Sequence, residues 1–144
     1  MVVVPDGFPV ALEAVAELCR ALGIKLLVLF GSRATGRAHP DSDWDLALLV
    51  GPGVKPQDVA FRLWQALSER ARTVEWDVTP LNNASSIFQG LVATRGRPLY
   101  QGRGSDWAEF VSLALRRYED DAKWRRAQRQ YVERWCAEVA RRGA

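Results

Sequence analysis

The sequence predicts an α/β fold: a small mixed sheet of about three to five strands, backed by helices on one side and followed by a long C-terminal helix. Two near-continuous apolar runs, Lys25–Phe30 and Asp43–Val50, are typical of buried strands. Amphipathic segments with helical spacing alternate with them. From Ser105 onward no Pro or Gly interrupts the chain until Gly143, which predicts the long helix.

The first half of the chain alternates helix and strand. Apolar residues recur at helical spacing from Pro9 to Leu22, and Gly23 provides a C-terminal stop. The run Lys25–Phe30 forms the first strand. After a polar stretch, Asp43–Val50 forms the second strand, which the Gly51–Gly53 breaker closes.

The second half continues this pattern. An amphipathic helix is predicted over Lys55–Arg72, and the alternation of apolar and polar residues over Thr73–Leu81 indicates a half-buried strand. Because Pro80 lacks an N–H group, we expect the strand to leave the ladder there. After a turn at Asn82–Asn83, a short helix runs through Ile87, Leu91 and Val92 and stops near Gly96, and a brief strand over Pro98–Tyr100 follows.

The C-terminal helix begins at Ser105 or Asp106, where Glu109 completes a pattern that resembles a capping box. Its apolar stripe drifts around the helix, and the acidic run Glu119–Asp121 predicts a break or bend. Farther along, aromatic residues at helical spacing are flanked by arginines, so this stripe either faces a partner or docks on the sheet of its own chain. The stripe consists of Trp124, Tyr131 and Trp135.

The length and amino-acid composition of the chain exclude several classes of function. The chain has 144 residues, which favours a single domain over residues 1–144, with its core at 8–104 and a helical segment at 105–142. One His and two Cys exclude a disulfide framework and a zinc cluster. The 20 basic and 17 acidic residues form no polybasic arm, so we expect no direct binding of nucleic acid.

The sequence also predicts no membrane association. Its apolar Met1–Val4 segment is too short for a signal peptide, and there is no apolar run of about 18 residues. The expected location is the cytoplasm.

The segment from Gly31 to Asp45 carries the chemistry. Gly31 and Ser32 directly follow a buried strand, and ten residues later come Asp43 and Asp45. Residues two apart on a strand project from the same face, so the two carboxylates point the same way. Neighbouring carboxylates repel each other unless a cation lies between them, and Mg²⁺ suits such oxygen ligands.

A third carboxylate, Asp77, lies on the polar face of the Thr73–Leu81 strand. If this strand lies beside Asp43–Val50, three carboxylates converge, which suits a pair of metal ions acting on a phosphate group. Glu75 shares the face of Asp77 and is the rival third ligand. Gly31 allows close backbone approach to a phosphate, and Ser32 supplies a hydroxyl donor.

These residues match the signature G-S-x10-D-x-D of the minimal nucleotidyltransferases, small relatives of the DNA polymerase β superfamily. The stretch Trp76–Asn82 resembles the third-aspartate strand of that family, although Pro80 stands where the family often has an acidic or polar residue. The resemblance spans residues 8–142, and Arg117–Asp120 resembles the C-terminal helix of the antitoxin members. It implies a polymerase β-like palm fold.

The resemblance further implies an antitoxin that pairs with a HEPN-domain ribonuclease toxin and transfers AMP from ATP to a tyrosine of that toxin. Asp43 and Asp45 would hold two Mg²⁺ ions, and Asp77 would complete the second metal site and help to deprotonate the tyrosine. Gly31 and Ser32 would bind the β- and γ-phosphates, and Arg33 is a candidate for contact with phosphate or partner.

Two other functions remain open at this point. An antitoxin with the same fold would neutralise its toxin by binding alone, as a hetero-oligomer. A nucleotidyltransferase acting on a small-molecule hydroxyl is disfavoured, because enzymes of that kind generally carry an extra substrate domain for which 144 residues leave no room.

Overall fold

The computed structural model describes residues 5–143, so the Met1–Val4 segment lies outside it. The described chain contains four strands and five helices. In chain order they are α1 (Leu12–Leu22), β1 (Ile24–Phe30), α2 (Ser32–Thr35), β2 (Trp44–Val50), α3 (Pro56–Arg70), β3 (Trp76–Pro80), α4 (Ser86–Arg95), β4 (Arg97–Gln101) and α5 (Asp106–Arg142).

The four strands form one mixed sheet in the order β3-β2-β1-β4. Strand β1 runs antiparallel to both β2 and β4, whereas β2 and β3 are parallel. Strand β2 is therefore internal, and Asp45 has Phe30 as its partner on one side and Asp77 on the other. The predicted mixed sheet and the long C-terminal helix are both confirmed.

Helices cover both faces of the sheet, so the expectation of helices on one side is wrong. On one face, α1 and α3 pack their Val15, Leu63 and Leu67 side chains against Leu27 and Leu48 of the sheet. On the other face, α4 and α5 form a second core. Its members are Leu26, Val28, Ala47, Leu81, Val92, Ala93, Phe110 and Ala114. Successive residues of β1 point to opposite faces, so both sets are buried, which explains its unbroken apolar run.

Strand β3 is shorter than the predicted Thr73–Leu81 and ends at Pro80, as the missing N–H group of this residue predicts. The pairing with β2 continues by other means. Leu81 donates its N–H to the carbonyl of Leu48 at 2.7 Å. The amide side chain of Asn82 then pairs with both the N–H and the carbonyl of Val50, each at 3.0 Å. This bridge fixes the loop between β3 and α4.

Helix α5 is continuous over 37 residues, so it has no break at Glu119–Asp121. Acidic side chains on the solvent side do not interrupt a helix that lacks Pro and Gly. The predicted capping box is wrong. Ser105 forms no side-chain cap. The carboxylate of Asp106 accepts the N–H of Arg103 at 2.7 Å and not that of Glu109, and Gln101 accepts the N–H of Trp107 at 2.9 Å. Among the described residues, no helix combines the length and apolar character that a membrane span requires.

Candidate active site

Three carboxylates meet at the end of the sheet where β1 finishes and β2 begins. Asp45 and Asp77 are direct partners in the parallel β2–β3 register. Asp43 precedes β2 by one residue, and the N–H of the intervening Trp44 is fixed by the carbonyl of Glu75 at 3.0 Å. Asp43 and Asp77 are exposed and Asp45 is half-buried. The structure therefore brings together the three aspartates that the sequence singles out.

Asp45 is the electrostatic centre of this group. Burial, followed by the negative charges of Asp77 and Asp43, raises the pKa of the Asp45 carboxyl above its usual value. Negative charges this close to a carboxyl group disfavour its ionised form. A cation placed among them would relieve this repulsion.

Gly31 lies against the carboxylate of Asp45. Its φ of 76° and ψ of −159° belong to a region that only glycine adopts readily. A Cβ atom at this position would collide with Oδ2 of Asp45. The absence of a side chain thus allows the loop after β1 to pass directly beside the acidic group.

Arg33 has a different environment from the one that the sequence suggested. Its Nη2 donates to the carbonyls of Ser42 at 2.9 Å and Pro40 at 3.2 Å, and its Nε donates to Ser42 at 3.3 Å. The guanidinium also lies 4.4 Å from the centre of the Trp44 ring. Arg33 therefore ties down the loop that leads into Asp43, and most of its donors are committed to that loop.

A cavity of about 270 Å³ opens beside Gly31 and Ser32, between α2 and α4. Phe30 and Leu91 form its apolar wall. Arg37 and Arg95 supply its positive charge. Sequence reasoning assigned no role to Arg37 and missed Arg95. No local motif marks Arg95, because only the packing of α4 on the sheet brings it to this loop.

The donor set suits a hard divalent cation. Within residues 5–143, no three His, Cys, Asp or Glu side chains form a ready-made metal cage. Mg²⁺ commonly binds through one or two carboxylates, with water and substrate phosphates as its other ligands. Asp43 and Asp45 provide carboxylate oxygens of this kind, and their repulsion provides the electrostatic driving force.

Comparison with known proteins agrees with this geometry. Residues 13–103 match the family model described as "Polymerase beta, Nucleotidyltransferase". The chain is also 34% identical over 100 residues to the protein adenylyltransferase MntA of Aphanizomenon flos-aquae (strain 2012/KM1/D3). That alignment covers 64% of this chain and 67% of MntA.

Solved structures show the same fold. A chain in the crystal structure of a toxin–antitoxin pair with AMP-PNP superposes with a TM-score of 0.70 and 25% identity, covering 86% of this chain and 99% of that one. A chain from the complex of the tri-AMPylated Shewanella oneidensis HEPN toxin with its MNT antitoxin gives 0.63 and 23%, covering 85% and 95%. The acidic triad, the glycine beside it and these matches agree: the chain belongs to the polymerase beta nucleotidyltransferase family and is a homologue of MntA.

Proposed function

We propose that this protein is the antitoxin of a toxin–antitoxin pair and that it transfers AMP from ATP to a tyrosine hydroxyl of a HEPN-domain toxin. The observation that carries the proposal is the convergence of Asp43, Asp45 and Asp77 beside Gly31. Homology to a protein adenylyltransferase supports a protein as acceptor. Both partners would act in the cytoplasm, where ATP is available.

The transfer forms one bond and breaks one. The tyrosine oxygen bonds to the α-phosphorus of ATP, the bond from that phosphorus to the bridging oxygen breaks, and pyrophosphate leaves. In this proposal Asp77 accepts the tyrosine proton. Asp43 and Asp45 would hold the Mg²⁺ ions, and Asp77 would complete the second site. When bound, these ions would neutralise the charge that develops on the phosphate oxygens.

Gly31 and Ser32 are proposed to contact the β- and γ-phosphates. Both residues line the cavity of about 270 Å³ next to the carboxylates, which supports this role. We propose that Arg33 supports nucleotide binding indirectly. By holding the carbonyls of Pro40 and Ser42, it keeps the loop before Asp43 in place.

The far half of α5 is the proposed toxin-binding surface. Its aromatic stripe is fully available, since Trp124, Tyr131 and Trp135 are 64%, 65% and 58% exposed. These side chains do not dock on the sheet of their own chain, which was the alternative left open by the sequence. Residues 122–143 carry seven basic and two acidic side chains, so the surface suits an apolar helix edged with acidic residues.

The same surface favours a second candidate function, neutralisation by binding without catalysis. A large exposed aromatic stripe provides the anchors that tight interfaces use. The two functions have different effects on the covalent structure of the toxin. Catalysis changes its mass, whereas occlusion leaves it unchanged.

The test is to incubate the protein with ATP, Mg²⁺ and the HEPN toxin and then to measure the intact mass of the toxin. We expect a gain of one or more AMP units with the wild-type chain and none with the variant D43N/D45N. The matched control is D58N, an exposed carboxylate at the start of α3 that should transfer AMP normally. A stable complex with no mass gain would reject catalysis and favour occlusion.

A further inference from the structure

Two arginines face the cavity beside Gly31 from separate elements. Arg37 follows the short helix α2, and Arg95 is the last residue of α4. Both line the cavity of about 270 Å³ together with Gly31 and Ser32. Within residues 5–143, neither guanidinium takes part in a side-chain hydrogen bond or an ion pair. Arg33 differs from them, because its donors are occupied by the loop.

The position of these charges complements the rest of the site. A triphosphate is strongly anionic, and the carboxylates of Asp43, Asp45 and Asp77 alone would repel it. Positive charge is therefore needed at the end of the phosphate chain that lies away from the carboxylates. Guanidinium groups bind phosphate oxygens through paired, charge-assisted hydrogen bonds.

The size of the cavity fits part of a nucleotide. A cavity of about 270 Å³ has room for the phosphate chain. The walls agree with this interpretation. Phe30 and Leu91 form the apolar wall of the cavity, and Ser32 and Thr35 bring hydroxyl groups to it.

We propose that Arg37 and Arg95 form a two-arginine clamp for the β- and γ-phosphates of the nucleoside triphosphate. This inference rests on the proposed nucleotidyl transfer and assigns the part of the site that receives the leaving pyrophosphate. The clamp selects triphosphates over monophosphates, because an AMP moiety held at the carboxylates does not reach it.

The clamp also fixes the direction of attack. Across the end of the sheet the order is the Gly31 loop after β1, then Asp45 on β2, then Asp77 on β3. In phosphoryl transfer the attacking and leaving oxygens lie roughly in line. With pyrophosphate at the arginines, the acceptor hydroxyl approaches from the opposite side, where Asp77 lies. The proposed base and the proposed clamp are thus mutually consistent.

The test is equilibrium binding of AMP-PNP and of AMP to the wild type, R37Q/R95Q and the control R97Q, each checked for folding by thermal melting. Arg97 is exposed on β4 and does not line the cavity. Because two charge-assisted contacts are lost, we expect AMP-PNP to bind about tenfold more weakly to R37Q/R95Q, or weaker still. Affinity for AMP should be unchanged, and R97Q should behave as the wild type does.

Three outcomes overturn the clamp: unchanged AMP-PNP affinity in R37Q/R95Q, an equal loss in R97Q, or an equal loss for AMP. The variant R37K/R95K refines the result, since it keeps the charge and removes the paired donors. Failure of the proposed function is separate and visible in the wild type. In that case the wild-type protein would bind AMP-PNP through the clamp and yet leave the toxin unmodified.

Discussion

At the residue scale, the backbone of Gly31 lies directly against the carboxylate of Asp45, so the position of this carboxylate depends on the absence of a side chain at position 31. A Cβ at position 31 would meet the Asp45 carboxylate, and the backbone angles there disfavour any side chain. We therefore predict that G31A lowers the free energy of unfolding by about 1–3 kcal/mol and displaces Asp45. AMP transfer should fall far more than stability. Chemical denaturation and a transfer assay measure the two effects, and a fully active G31A would contradict this role.

The raised pKa of Asp45 has a consequence for stability. Because the pKa of Asp45 is raised in the folded state, protonation of this carboxyl stabilises the fold. The stabilisation is complete at pH values below the pKa of Asp45 in the unfolded chain, and it is lost as the pH rises through the pKa of Asp45 in the folded state. At neutral pH the ionised carboxylate therefore costs stability. The variant D45N, which carries no charge, should melt about 1–4 °C higher than the wild type in a buffer with EDTA.

Two further measurements test this interpretation of Asp45. The difference in Tm between D45N and the wild type should shrink as the pH is lowered toward the acidic range. Mg²⁺ should raise the Tm of the wild type, because a ligand that binds the folded state stabilises it, and should have little effect on D45N. A D45N variant that melts below the wild type at pH 7 would show that repulsion is not the governing interaction.

At the element scale, the far half of α5 tests the proposed interface. Trp135 is 58% exposed and contributes little to the fold, so W135D should leave the Tm almost unchanged. Affinity for the toxin should fall at least tenfold if this residue is an anchor of about 2 kcal/mol or more. The matched control is F61D on α3, since Phe61 is 61% exposed and lies on the other side of the sheet. Equal affinities for all three proteins would remove α5 from the interface.

Much of the fold is predictable from local pattern, and the errors have physical causes. The apolar runs of β1 and β2 mark buried strands, and the spacing from Gly31 to Asp45 marks the site. The same runs also indicate helices on both faces of the sheet. A strand buried on one face only would alternate apolar and polar residues, whereas these runs are apolar throughout. A break in α5 was predicted from the drifting apolar stripe and the acidic run, although charge on an exposed face does not break a helix.

Contacts between distant residues were not predicted from the sequence. The guanidinium of Arg33 binds carbonyls seven and nine residues away, and this choice depends on how the loop folds. Arg95 reaches the site because α4 packs on the face of the sheet opposite α1 and α3. Neither arrangement leaves a periodic or motif-like trace in the sequence. Residue type and spacing thus predict the acidic group, whereas its basic surroundings emerge only from tertiary packing.

At the scale of the whole molecule, the net charge of +3 conceals a polarised distribution. The acidic group lies at one end of the sheet, the two cavity arginines lie beside it, and residues 122–143 of α5 carry a surplus of basic side chains. This arrangement separates nucleotide chemistry from the proposed partner surface. Asp45 and Trp135 variants should therefore lose different activities, transfer in one case and binding in the other.

The stoichiometry of neutralisation is the most direct test of whether the protein acts on the proposed HEPN toxin by catalysis. The ribonuclease activity of the toxin is followed while antitoxin is added in amounts well below equimolar, with ATP and Mg²⁺ present. Catalysis predicts that toxin activity declines to completion, because each antitoxin molecule modifies many toxin molecules. Catalysis would be contradicted if toxin activity fell only in proportion to the antitoxin added and if D43N/D45N gave the same result.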